Sequence, residues 1–92
     1  MMNNKISLNK DIGRFIRESR KNKSLTTEQL GRLVKLSQQQ ISRYELGVTT
    51  INVEMLDVFL TVLGKNWSDF IFNVMVCHSD EVERLKNDKF IL

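Results

Sequence analysis

Three consecutive glutamines, Gln38, Gln39 and Gln40, precede Ser42 and Arg43 in the segment SQQQISRYE. A glutamine amide can pair in two places with the edge of adenine, and an arginine guanidinium can do the same with guanine. Each such contact contributes roughly 1–3 kcal/mol of discrimination between bases. If the segment is helical, Gln38 and Gln39 fall in its first turn and Arg43 lies about one turn beyond Gln39. A helix lying in a major groove meets base edges with such positions. Gln38, Gln39 and Arg43 are the leading candidates for base contacts, with Ser42 and Gln40 behind them.

Positioning these side chains requires a helix, and the residues around them specify two. Thr26 with Gln29, and Ser37 with Gln40, have the reciprocal spacing of a capping box, in which a hydroxyl and an amide satisfy otherwise unpaired backbone donors. A helix is expected to begin just after each cap. The first would bury Leu30, Leu33 and Val34, and the second Ile41 and Tyr44. Only Lys35 and Leu36 separate Val34 from the second cap, which forces a steep crossing. Gly31 lies where the first helix would press on the second. The expected unit is a helix-turn-helix.

Further helices follow from the same signals. The first is expected over residues 9–22, with Ile12 and Ile16 inward and Phe15 at the shoulder. A fourth is expected over residues 53–63, capped by Asn52, burying Leu56, Phe59, Leu60 and Leu63 and ended by Gly64. A fifth starts near Trp67 after an Asn66 cap, with Trp67, Phe70 and Ile71 inward. A last amphipathic helix is expected from Ser79 to about residue 89, through Val82 and Leu85. Residues 1–8 read as an N-terminal arm, 9–75 as the helical domain and 76–92 as a C-terminal helical extension.

Contacts to a phosphate backbone have their own signature. Thr26 and Thr27 open the second helix, whose free N–H groups and positive dipole end suit a phosphate oxygen. Thr49, Thr50 and Asn52 repeat that arrangement before the fourth helix, and Lys5, Lys10 and Lys35 are lesser candidates. Charge agrees: residues 1–50 carry ten Lys or Arg against four Asp or Glu, whereas residues 51–92 carry four against seven. A front half with that excess suits a polyanionic partner.

The residues that carry these readings also carry a family resemblance. Residues 12–71 resemble the helix-turn-helix domain of phage-repressor-type (XRE-like) regulators. The matching pieces are IGRFIRESRKNK, LTTEQLGRLV, SQQQISRYELG and VEMLDVFLTVLGKNWSDFI, about two thirds of the chain without a gap. The resemblance implies an all-α, five-helix, lambda-repressor-like fold and a structural ion pair between Arg20 and Glu45. Within that family, SQQQISRYE and the small size resemble the MrpJ-type regulators encoded beside fimbrial operons, which implies control of fimbrial or motility genes. The chain departs from the family at Ser24 and Lys35, where glycine is usual because it takes positive φ without a steric penalty.

Composition bounds the remaining classes. Ninety-two residues, 41% hydrophobic, with no proline and four glycines, allow one helical domain with a modest core. No apolar run approaches the ~18–20 residues that cross a membrane, and MMNNKISLNK is not a secretory signal. One cysteine, Cys77, excludes an internal disulfide and fits a reducing cytoplasm. Cys77 adjoins the single histidine, His78, and such neighbours are poorly placed as nucleophile and base. They cannot complete a four-ligand zinc site. No catalytic site, metal, cofactor or small-molecule ligand is indicated.

One domain of this size reads few base pairs, so a homodimer over two half-sites is expected, acting as a repressor on a palindrome-like operator in double-stranded DNA. The run FIFNVMV is more apolar than one small helix needs for its own core, which makes Phe72, Val74, Met75 and Val76 the expected dimer interface. The alternative keeps the fold and changes the partner: an antitoxin-like module whose main ligand is another protein.

Overall fold

Both expected capping boxes form, and they set the architecture of the front half. The computed structural model describes residues 3–77, with the side chains of residues 8–74. Thr26 Oγ1 accepts from the Gln29 amide N–H at 3.0 Å, and Gln29 Oε1 accepts from the Thr26 N–H at 2.8 Å. Ser37 and Gln40 repeat this at 3.1 and 3.4 Å. Five helices follow in order: α1 (Asn3–Asn22), α2 (Thr27–Val34), α3 (Gln38–Leu46), α4 (Val53–Leu63) and α5 (Trp67–Cys77). Asn52 caps α4 through the Met55 N–H at 2.7 Å, and Asn66 caps α5 through the Asp69 N–H at 2.8 Å.

Left-handed residues close the helices. Gly47 and Gly64 end α3 and α4 at positive φ. Ser24 and Lys35, the two positions where the resemblance led us to expect glycine, take the same conformation at φ 59° and 64°. A non-glycine residue there costs on the order of 1 kcal/mol, which the packed domain absorbs. Lys35 thereby turns the chain within two residues, and the Leu36 N–H reaches the Gly31 carbonyl at 2.8 Å. A Cβ on Gly31 would lie 2.5 Å from the Leu36 carbonyl oxygen. The glycine makes room for the turn itself more than for α3.

The core gathers apolar stripes from all five helices. Ile16, Leu30, Ile41, Phe59, Leu60 and Leu63 are essentially sealed, and Phe70 and Val74 close the α5 side. Phe15 meets Phe70 edge to face at 5.4 Å, and Tyr44 meets Phe59 the same way at 5.8 Å. Such contacts add about 0.5–1.5 kcal/mol each beyond simple burial.

Four expectations are corrected. The first helix starts at Asn3, not residue 9, so residues 3–8 are helical rather than an arm. No glycine or proline interrupts that stretch. Leu33 is 53% exposed, because α2 turns its Leu30, Gly31 and Val34 face inward and leaves Leu33 outside it. Ile71 stands half outside the core and Trp67, 37% exposed, at its edge, while Phe70 and Val74, one turn apart, make the inward stripe of α5. Trp67 instead lies edge-on against Phe70 and donates its indole N–H to Asp57 at 3.0 Å. The expected helix after Ser79 lies outside the described residues.

Candidate nucleic-acid interface

α3 carries the candidate base contacts, and α1 holds it through two residues. Arg20 Nε donates to Glu45 Oε2 at 2.6 Å and Nη2 donates to Oε1 at 2.9 Å. Its remaining nitrogen, Nη1, donates to the Leu25 carbonyl at 2.8 Å in the α1–α2 loop. Both side chains are nine-tenths buried or nearly so. The hydrogen bonds to Glu45 raise the Arg20 pKa above its ordinary value, burial works against them, and the opposite charge adds to the rise. One guanidinium thus joins α1, the loop and α3.

Gly13 is the second holding residue, and it was not singled out from the sequence. A Cβ there would collide with the backbone carbonyl oxygen of Tyr44 and lie 2.5 Å from that of Glu45. The last turn of α3 therefore rests directly on the α1 backbone. A glycine inside a helical pattern costs about 1 kcal/mol against alanine, and that departure is the signal that could have found it.

With its inner side fixed, α3 turns Gln38, Gln39, Arg43 and Leu46 to solvent, with Ser42 half-buried among them. Gln38, Gln39 and Arg43 make no side-chain hydrogen bond among the described residues, so their donors and acceptors are available to a ligand. Gln40 differs: its amide oxygen is turned back onto the Ser37 N–H. That places it in the cap more than on the reading face. Leu46, 66% exposed and one turn beyond Ser42, extends the face and had not been expected there.

The expected phosphate contacts divide in the same way. Thr26 and Asn52 spend their side-chain oxygens on the caps of α2 and α4. Thr27 is half-buried at the start of α2, in a shallow groove with Ser42 and Arg17. Thr49 is half-buried, and exposed Thr50 accepts from the Asn9 amide at 3.5 Å. Lys35 is exposed at the turn. Each helix start also carries an acid, Glu28 in α2 and Glu54 in α4, and Glu28 is paired with Arg32 at 3.2 Å. The caps take the Gln29 and Met55 N–H groups, and the first turns of both helices are not electropositive throughout.

The expected dimer residues are split by the fold. Phe72 is 69% exposed on α5, whereas Val74 is 3% exposed and belongs to the core of the monomer. Val74 is therefore corrected from interface to core: it lies one turn from Phe70 on the inward side of α5. Met75 and Val76 lie in α5, and their side chains are outside the described ones. Cys77 ends that helix, and His78 lies outside the described residues. Among the described residues, no group of three His, Cys, Asp or Glu could hold a metal ion, and no helix is long and apolar enough to cross a membrane.

Comparison with known proteins gives the same outline. The pattern of the helix-turn-helix family matches residues 16–70, from α1 to Phe70 in α5. The antitoxin PezA of Streptococcus pneumoniae is 30% identical over 60 residues, which is 65% of this chain. The match takes in 38% of the antitoxin's length, so this chain corresponds to a fraction of that relative. The crystal structure of the clp gene regulator ClgR from Corynebacterium glutamicum superposes with a TM-score of 0.70, covering 92% of this chain and 96% of the other at 19% identity. That likeness is one of fold. The matched span contains Arg20, Glu45 and every candidate on α3, though not Gly13: the chain belongs to the helix-turn-helix family.

Proposed function

We propose that the chain is a sequence-specific, double-stranded-DNA-binding transcriptional regulator that reads bases with α3 in the major groove. One observation carries the reading. Gln38, Gln39 and Arg43 stand exposed and uncommitted on a helix whose opposite side is clamped by Arg20. Surface glutamines alone are commonplace. Three bidentate-capable side chains on one rigid face give a reader the preorganisation that specificity needs. Thr27, Thr49, Thr50 and Lys35 are the proposed phosphate contacts, joined by the N–H groups that begin α2 and α4. Thr26 and Asn52 order those helix starts.

The regulator is proposed to act as a homodimeric repressor on a palindrome-like operator, with Phe72, Met75 and Val76 at the interface. The working unit spans residues 9–75, joined to the helical residues before it, with 76–92 as an extension. Control of fimbrial or motility genes is the target that the MrpJ-type resemblance suggests.

The test is selection of bound duplexes from a random pool at physiological salt, with Arg43→Ala in parallel. An enriched inverted repeat, relaxed at one position in the variant, is the expected result. Folded protein that enriches nothing sinks the proposal.

The antitoxin relative favours one second reading, in which the same fold serves mainly as a protein-interaction module. A toxin-like gene beside this one, or co-purification with a second small protein, separates that reading from the first.

A further inference from the structure

Four cations of α1, Lys10, Arg14, Arg17 and Lys21, recur at intervals of four, three and four residues. That spacing puts them on one face of the helix, over a length of about 16 Å. All four are exposed, and they border one open groove whose other wall is Glu45 and Leu46 of α3. Arg17 also borders the adjoining groove, with Thr27 and Ser42, and so connects the row to the start of α2 and to the reading face.

Charge along the groove is one-sided. Glu45 is occupied by Arg20, and Arg14 is paired with Asp11 at 2.5 Å. Glu18 is the other acid at the rim. Arg17, Lys10 and Lys21 make no ion pair among the described residues. The helix starts that would otherwise grip phosphates carry Glu28 and Glu54, so a cationic row beside α3 supplies what they lack.

We propose that this α1 face is a second DNA-backbone site, with Arg17 as its central contact and Lys21 and Lys10 on either side. The inference rests on the DNA-reading function proposed for α3. Its occupant is the phosphate strand that flanks the major groove entered by α3. Charge complementarity and continuity with the reading face through Ser42 and Thr27 select that occupant. A row of this length is long enough to meet more than one phosphate of a single strand. The role is positional: it adds affinity equally for all sequences and fixes the register in which Gln38, Gln39 and Arg43 meet bases.

The experiment compares the full chain with Arg17→Ala, Lys21→Ala, the double variant and Arg17→Lys, each binding the duplex selected by the wild type. Binding constants are measured across a salt series, and melting temperatures are recorded for each variant. Each lost phosphate contact is expected to flatten the slope of log K against log salt by about 0.9, with Arg17→Lys close to wild type. The base preferences of the selected site and the melting temperatures are expected to stay unchanged. Variants that keep the wild-type slope while the wild type binds its site overturn the second backbone site and leave the α3 reading standing. A wild type that binds no duplex even at low salt overturns both.

Discussion

Arg20 and Glu45 are joined through two nitrogens and two oxygens at 2.6 and 2.9 Å, although 25 positions separate them in the chain. A planar guanidinium meeting a carboxylate fork to fork fixes orientation as well as distance. This pair therefore sets the angle at which α3 leaves the scaffold. Replacing Arg20 by alanine strands a carboxylate whose side chain is 6% exposed. Breaking a buried pair from one side costs about 3–5 kcal/mol. Arg20→Ala is expected to melt well below the wild type, and Arg20→Met with Glu45→Leu to recover much of the loss. The raised Arg20 pKa contributes stability that is whole below its unfolded value and lost only as pH rises through the folded one. The window for that loss lies in strong base, so titration of Arg20 adds no slope to stability between about pH 6 and 9. An unchanged melting temperature in Arg20→Ala would remove the pair from the account of how α3 is held.

Gly13→Ala sets two effects against each other. Alanine gains up to about 1 kcal/mol in helix propensity. Its methyl, however, meets backbone carbonyls of Tyr44 and Glu45 rather than the end of a flexible side chain. Overpacking of that kind costs about 1–3 kcal/mol. The clash is expected to win, and DNA affinity to fall with stability because α3 must shift to relieve it. Denaturant melts decide the sign: a stabilised Gly13→Ala would mean that α3 does not rest on the α1 backbone.

How far the fold could be read in advance depends on range. The caps at Thr26, Ser37, Asn52 and Asn66, the stop at Gly64 and the left-handed Ser24 and Lys35 are local, and the structure has each of them. Leu33 and Ile71 face outward and Val74 inward, against the expectation from the sequence, and Trp67 lies at the edge of the core rather than within it. In a helix of eight to eleven residues with apolar positions on several sides, spacing does not say which stripe its neighbours will cover. Gly13 and the proposed role of Arg17 depend on α1 crossing α3, a contact between segments far apart in sequence. Gln38, Gln39 and Arg43 were legible because helical spacing alone puts them on one outward face.

Gln39 and Gln40 are chemically identical neighbours with different surroundings, and their alanine variants are expected to diverge. Gln40 closes the cap of α3 through a long 3.4 Å bond to the Ser37 N–H. Its loss is expected to lower stability by about 0.5 kcal/mol and leave the selected sequence intact. Gln39 is exposed and uncommitted among the described residues, so Gln39→Ala is expected to keep the stability of the wild type. It is expected to lose roughly 1–3 kcal/mol of preference at one base position. Parallel melts and duplex selections measure both. The opposite pattern would move base reading to Gln40 and weaken the proposed orientation of α3.

Phe72 and Val74, two residues apart on α5, have opposite exposures, and the proposed dimer assigns association to the first and folding to the second. Phe72 exposes 69% of its surface, and Val74 exposes 3% within the core beside Phe70. Exposing a phenylalanine to that extent makes sense if a second copy covers it, because aromatic side chains dominate the energetics of interfaces. Phe72→Asp is expected to stay helical and shift light scattering from dimer toward monomer across a concentration series. Its affinity for a two-half-site duplex is expected to fall much more than its affinity for a single half-site. Val74→Asp buries a carboxylate without a partner and is expected to lose the cooperative melt altogether. A Phe72→Asp protein that remains dimeric would place the interface elsewhere, with the side chains beyond Val74 the next to be substituted. A Phe72→Asp protein that fails to fold would show that the side chain is needed within the monomer, and its exposure would then no longer point to a partner.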